Sequence, residues 1–244
     1  MNGKTPPTAH FIGDDGTQLI EFESVWKSLQ NYYESAMPAR VTISFFDNKG
    51  VSKFNPQRNQ ILLDRTGFQA RGNNVIAHET SHLCLYQLTK GASNEEEFRF
   101  MDEGFAKIIE NRFAGSIEQY KRQSLITAAI QLKNNNVSLQ AVQKWSLYFG
   151  GPEAGRWWAY EVGASFDFFI IDQYGELKLK DLFKDIGKFH NLGISIRRVF
   201  NKSAADLESE WKAYLAKLNM GGLEGKPAAW SRTRGCFDKL STNG

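Results

Sequence analysis

Two histidines and a glutamate in the stretch Val75-Ile76-Ala77-His78-Glu79-Thr80-Ser81-His82-Leu83-Cys84-Leu85-Tyr86 are the residues of this chain best placed to do chemistry. An H-E-x-x-H pattern on a helix sets its two imidazoles at i and i+4, one turn apart on one face. That face can offer two nitrogens to one metal ion. Zinc is the expected metal, because imidazole suits it and three protein ligands leave a fourth position for water. Glu79 stands beside the pair, where a carboxylate can take a proton from that water. Taken alone, the five-residue pattern is equally compatible with a polar patch on a surface helix, so a third ligand has to decide. The segment Met101-Asp102-Glu103-Gly104-Phe105-Ala106 offers one: Glu103 comes 21 residues after His82, on the next predicted helix, which can pack against the first after a loop.

These residues need rigid elements to hold them. Val75, Ile76, Ala77, Leu83, Leu85 and Leu88 surround the motif, with no Pro or Gly until Gly91, which predicts a buried helix. Upstream, the segment to Gly16 reads as an extended lead-in. From Thr17, a candidate N-cap, apolar residues recur at Leu19, Phe22, Trp26, Leu29 and Tyr33, predicting an amphipathic helix stopped by Pro38. Val41–Phe46 alternates and is rich in β-branched residues, so a strand is expected there. Asp47-Asn48-Lys49-Gly50 is turn chemistry. A second strand is expected at Gln60–Asp64, leading through Gly72-Asn73-Asn74 into the motif helix.

Beyond Gly91 the pattern is helical throughout. Ser93-x-x-Glu96 resembles a capping box ahead of a helix carrying Phe98, Met101, Phe105, Ile108 and Ile109. Further helices are predicted over Ile117–Leu132, Leu139–Tyr148, Glu153–Tyr174, Lys180–Phe189 and Ala204–Leu218, with Gly175 and Gly221 as punctuation. Glu95-Glu96-Glu97 reads as a solvated first helical turn. His10 and His190 are expected at the surface, and Trp157 and Trp158 in the core. The expected class is α+β: one domain over 1–244, with a sheet and motif helix over about 17–90, a helical lobe over about 91–218 and an irregular tail over 219–244.

Composition narrows the function classes. The chain has 244 residues, 41% hydrophobic and 23% charged, the proportions of an ordinary globular protein. A net charge of +3 with no Lys/Arg block gives no footprint for nucleic acid. No apolar run approaches the roughly 18 residues of a membrane span. Two cysteines, Cys84 and Cys236, make no disulfide framework, and Cys84 points off the metal face as a small buried hydrophobe. Met1–Pro7 lacks the apolar core of a signal peptide. The expectation is a cytoplasmic protein, or an exported one (periplasmic or secreted) if a leader has been trimmed from this chain.

With H-E-x-x-H followed at this distance by Glu103-Gly104-Phe105-Ala106, the chain resembles the gluzincin metallopeptidases, the peptidase MA-like group and the zinc aminopeptidases. The resemblance implies a zincin-like fold with one Zn²⁺ per chain, held by His78, His82 and Glu103. It extends to Glu110, a position that often carries Glu in the aminopeptidases. It also covers Ala159-Tyr160-Glu161-Val162-Gly163-Ala164-Ser165-Phe166, which is similar to the family's helix with a Tyr beside the substrate carbonyl. Tyr174-Gly175 with Leu182-Phe183, and Asn201–Trp211, are similar to its later helices, so the likeness spans roughly Thr17 to Leu218.

Three departures stand out. Asp102 replaces the usual Asn of the aminopeptidases. Lys107 stands where thermolysin-like enzymes have an Asp that orients a ligand His. No G-x-M-x-N segment, the element that holds a substrate's amino terminus, precedes His78.

The expected function is a zinc-dependent peptidase with Glu79 as general base and Tyr160 as oxyanion donor, acting on a peptide or protein substrate. Internal cleavage is expected, with the edge of the Gln60–Asp64 strand pairing with an extended substrate. Two other readings stay open: a metal-binding partner protein of the same fold, and a zinc hydrolase of a non-peptide amide or ester.

Overall fold

Residues 10–33, 36–47, 52–134, 137–146 and 158–218 are described by the computed structural model of the chain. The first elements form a parallel β-α-β unit. Strand β1, Phe11–Gly13, leads through a 3-10 turn at Ile20–Phe22 into α1, Glu23–Tyr33, and then β2, Val41–Phe46. Phe11 and Val41 are register partners. The extended lead-in therefore contains a strand, which three residues are too few to announce. The first helix starts later than Thr17 because the Thr17 carbonyl accepts from Gly13 N at 2.8 Å, in a turn where Gly16 has φ +82°. Val25, Trp26, Leu29 and Tyr33 form its buried stripe as expected.

Two more strands complete a four-stranded sheet of order β1-β2-β4-β3. β4, Gln60–Asp64, runs parallel to β2, with Ile43 opposite Ile61. β3, Lys53–Asn55, runs antiparallel to β4 with Phe54 opposite Ile61, and forms an edge of the sheet. The expectation that Gln60–Asp64 offers a free edge is overturned, since β4 is paired on both sides. The edge facing the motif helix belongs to β3.

Asp64 ends β4 by capping a helix: its side chain accepts from Gly67 N at 2.8 Å and starts α2, Arg65–Arg71. Gly72, at φ +57°, turns the chain into the motif helix α3, Asn73–Leu88. Every residue from Val75 to Leu85 is buried, polar and apolar alike, so this helix is enclosed on all faces.

After α3 the expected capping box does not form. Ser93 lies in a 3-10 turn, Ala92–Asn94, and its backbone N–H donates to Thr89 Oγ1 at 2.9 Å. A second 3-10 turn, Glu96–Phe98, precedes α4, Arg99–Phe113. The three glutamates enter that 3-10 turn with Glu95 and Glu96 exposed, as expected of a solvated first turn, and they also tie distant segments together. Glu95 meets His190 Nδ1 at 2.7 Å, Glu96 accepts from Ser146 N at 3.1 Å, and Glu97 accepts from Leu192 N at 3.2 Å.

The remaining helices are α5, Ile117–Lys133; α6, Leu139–Val142; α7, Trp158–Tyr174; α8, Glu176–Phe189; α9, Leu192–Phe200; and α10, Ala204–Ala216. Helix α6 is shorter than predicted, α8 begins before Lys180, and α9 is an addition, capped by Asn191 on Ile194 N at 2.9 Å. The true capping box is Ser203 with Asp206, at the start of α10. Residues 147–157, with Trp157, and the tail 219–244, with Gly221 and Cys236, lie outside the described residues. Of the described helices, none is long and apolar enough to cross a membrane.

One contact fixes the helical layer. A Cβ on Gly163 would lie 2.0 Å from the Phe100 carbonyl oxygen, and one on Gly104 would lie 2.4 Å from Ala164 N. Helices α4 and α7 therefore touch backbone to backbone, and the small residues of α7 serve approach to the Glu103 helix rather than to α3. Gly163→Ala should destabilise the protein by about 1–3 kcal/mol, because the methyl meets backbone that cannot turn aside. Gly193→Ala in α9, whose nearest neighbour is Asn191 Oδ1 at 3.5 Å, should be neutral or slightly stabilising. Urea unfolding of both variants checks the contrast, and equal midpoints would refute the close packing.

Candidate metal centre

Helices α3 and α4 bring three donors to one point. His78 and His82, a turn apart on α3, approach each other with Nε2 atoms 3.1 Å apart. Glu103 Oε2 on α4 lies 3.6 Å from His78 Nε2 and 3.4 Å from His82 Nε2. A tetrahedral zinc site with ligands near 2.0–2.2 Å has ligand–ligand edges of about 3.3–3.6 Å; the two edges to Glu103 fall in that range, and the His78–His82 edge, at 3.1 Å, is slightly short of it. All three residues are buried, and among the described residues they are the group able to hold a metal ion.

The other nitrogen of each imidazole faces a carboxylate. His82 Nδ1 lies 2.8 Å from Asp102 Oδ2, and His78 Nδ1 lies 3.0 Å from Glu110 Oε2. These are ion-pair approaches and not aligned hydrogen bonds, since neither Nδ1 has a hydrogen-bond partner among the described residues; a carboxylate that closed such a bond would hold the proton on Nδ1 and leave Nε2 for a metal. Asp102 and Glu110 thus stand where orienting partners are needed. Lys107, at the position where thermolysin-like enzymes carry such a partner, instead pairs with Glu110 at 2.8 Å.

Arginines complete the electrostatics. Arg99 reaches Glu103 Oε1 at 2.8 Å and Asp102 Oδ2 at 3.2 Å, fixing the ligand carboxylate by its outer oxygen. Arg71 lies 3.6 Å from Glu110 Oε1. Burial would raise the pKa of Glu103, but Arg99 and the histidines hold it well below the usual carboxylate range. Glu110 is lowered in the same way, against burial, by Lys107, His78 and Arg71. Burial would lower His82, but Asp102 and Glu103 push it up to about 10 in the metal-free chain. Glu79 goes the other way: burial raises its carboxyl, although His78 and His82 pull it down. One small volume therefore holds two carboxylates kept charged and one pushed toward proton uptake.

Tyr160, at the start of α7, is half-buried and set edge-on to Trp145 with ring centroids 5.3 Å apart. Its hydroxyl is pushed well up by burial, with the charges of Glu103 and Glu79 adding to it. Phe54 of β3 stacks on His82 at 5.0 Å, with the Arg99 guanidinium 5.9 Å from the Phe54 ring centre. Behind Asp102, Asp167 of α7 is fully buried, and neither oxygen has a hydrogen-bond partner among the described residues. Burial, with Asp102 adding to it, pushes this carboxyl well up. Cys84 is buried and free, and burial raises its thiol.

Sequence reasoning overlooked Arg71, Arg99 and Phe54. Arg99 was accessible through its i,i+3 and i,i+4 spacing to Asp102 and Glu103. Phe54 and Arg71 carry no local signal, since their role comes from the sheet edge and from the turn at Gly72. A groove of about 500 Å³ lined by residues of α8, α9 and α10, including Ile194, Arg197 and Ser203, contains none of the cluster and no carboxylate or imidazole.

Two sets of variants separate ligands from their orienting partners. Glu103→Ala should lose bound zinc, whereas Asp102→Ala and Glu110→Ala should bind it about 10–100-fold more weakly. Competition against a chromogenic chelator measures this. Zinc at about a hundredfold over its Kd should stabilise the wild-type chain by roughly 2.7 kcal/mol and leave Glu103→Ala unmoved. No family model matches the chain, and neither a curated protein nor a solved structure shows detectable similarity to it, so the assignment rests on these residues and distances.

Proposed function

We propose that the chain is a zinc-dependent peptidase of the gluzincin type, with a zincin-like arrangement of sheet edge, motif helix and Glu103 helix. The observation that carries this is the convergence of His78 Nε2, His82 Nε2 and Glu103 Oε2 within 3.6 Å of one another, with Glu79 buried beside them on the same helix.

His78, His82 and Glu103 hold the metal. Bound there, a zinc ion supplies a nucleophilic water at neutral pH and polarises the scissile carbonyl. The chain's own groups do the rest. Glu79, with a raised carboxyl pKa, accepts the proton of the attacking water and hands it to the leaving amine nitrogen. The Tyr160 hydroxyl donates to the carbonyl oxygen as negative charge grows on it. Arg99 keeps Glu103 ionised and aimed at the histidines. Asp102 and Glu110 lie 2.8 and 3.0 Å from the Nδ1 atoms, placed to take up the Nδ1 protons so that both imidazoles would act as neutral ligands through Nε2.

The edge strand β3 supports an extended substrate. Lys53–Asn55 ends the sheet beside the centre, and its Phe54 packs on His82, so a chain added along that edge passes the metal. This supports cleavage within a peptide rather than removal of a terminal residue.

Glu79→Gln should keep near-normal zinc content while activity falls about 10²–10⁴-fold, as expected for a lost general base. Tyr160→Phe should keep its zinc, its KM and its melting temperature, while kcat falls about a hundredfold. A peptide-library digest with zinc-loaded protein, followed by mass spectrometry, reads both. Full peptide cleavage by Glu79→Gln would overturn the role of Glu79, and early melting of Tyr160→Phe with kcat intact would make Tyr160 a packing residue.

A further inference from the structure

The cations around the centre are unequally matched. Arg99 is held by two carboxylates at 2.8 and 3.2 Å and packs on Phe54. Lys107 is held by Glu110 at 2.8 Å. Among the described residues Arg71 has one ion pair, at 3.6 Å and beyond hydrogen-bonding distance, to Glu110 Oε1, while Lys107 and His78 approach the other oxygen, Oε2. Its side chain is 25% exposed. Arg71 is therefore a guanidinium at the rim of the centre whose donors have no good acceptor among the described residues.

Its position is also defined. Arg71 ends α2, and Gly72 at φ +57° joins it directly to the motif helix. Two sides of the centre can be told apart: His82 faces Phe54, Arg99 and β3, whereas His78 faces Glu110, Lys107 and Arg71. The charge of Arg71 is felt by Glu79 and by Tyr160, the two groups assigned to the reacting carbonyl. A peptide lying along β3 and crossing the metal leaves on the side where Arg71 stands.

We propose that Arg71 anchors a carboxylate of the substrate, on the side of the scissile bond away from β3, so that the site prefers acidic peptides. The proposal rests on the peptidase reading for its substrate class. A single unsatisfied guanidinium suits a carboxylate, which it can grip through two parallel N–H···O bonds. A phosphate dianion would call for a second free cation, and Arg99 and Lys107 are both engaged. The carboxylate can come from an acidic side chain or from a free C-terminus.

Three peptides of one parent sequence separate those sources: one blocked at both ends with a single internal Glu, one with a free C-terminal carboxylate and no acidic side chain, and one neutral and blocked. Binding is read by fluorescence anisotropy on the zinc-loaded Glu79→Gln chain, and cleavage on the zinc-loaded wild type. One acidic peptide should bind about tenfold to a hundredfold more tightly than the neutral one, the range of a charge-assisted hydrogen bond, and that arm names the source. Adding Arg71→Gln should bring the acidic-to-neutral ratio close to one, whatever it does to absolute rates. Arg71→Lys should keep most of the preference, because it keeps the charge.

Equal affinity for all three peptides in the Glu79→Gln chain, or no binding at all, overturns the anchor. So does a preference that survives Arg71→Gln, or a loss that is equal for acidic and neutral peptides, which would make Arg71 only a buttress for Glu110. Should Arg71→Gln not fold, Arg71→Lys and the comparison of the three peptides on the Arg71 chain still decide. Binding preference without any cleavage would sink the peptidase reading and leave the anchor standing; cleavage without preference does the reverse.

Discussion

The backbone contact between α4 and α7 is the constraint on which the centre depends. Gly104 follows Glu103 directly, and with Gly163 it lets two helices approach more closely than any side chain permits. That approach presses α4 against α3, so Glu103 arrives within 3.6 Å of both histidines from a separate helix. A methyl group at either glycine would push back the element that supplies the third donor.

The charges follow from that enclosure. Four carboxylates, Glu79, Asp102, Glu103 and Glu110, are buried together, and such a cluster is tolerated only when each negative charge has a partner. Arg99 serves Glu103 and Asp102; Lys107 and Arg71 serve Glu110; the imidazoles serve Asp102 and Glu110. Glu79 has no such cation against it, which is why burial dominates and raises its carboxyl. Environment thus divides identical side chains into groups that stay ionised and one suited to take a proton.

Much of this was legible in the sequence, for reasons that differ by element. β2 was found with its exact ends because its run is rich in β-branched residues and a turn follows it; β4 is a short apolar run set off by turn residues before it. The motif helix and the Glu103 helix were readable because the spacing of chemistry-bearing residues was itself the signal. β1 and β3 are three residues each and exist through their neighbours, so no periodicity marks them. Ser93 and Glu96 had the pattern of a cap, but the Gly91 turn at φ +97° and the contact of Ser93 N with Thr89 Oγ1 take the chain through two 3-10 turns first. That Asp102 and Glu110 lie against the Nδ1 atoms of His82 and His78 depends on the packing of α3 on α4, which no local pattern gives. Arg71 carries no local signal because it reaches Glu110 only through the turn at Gly72 and the packing of α3 on α4.

The most direct test of the central claim is X-ray absorption at the zinc edge on metal-loaded protein. The account predicts a four-coordinate first shell of nitrogen and oxygen at about 2.0–2.2 Å, with two imidazole scattering patterns and no sulfur. A sulfur ligand near 2.3 Å, which would bring Cys84 or Cys236 to the metal, or a shell without two imidazoles, would contradict it.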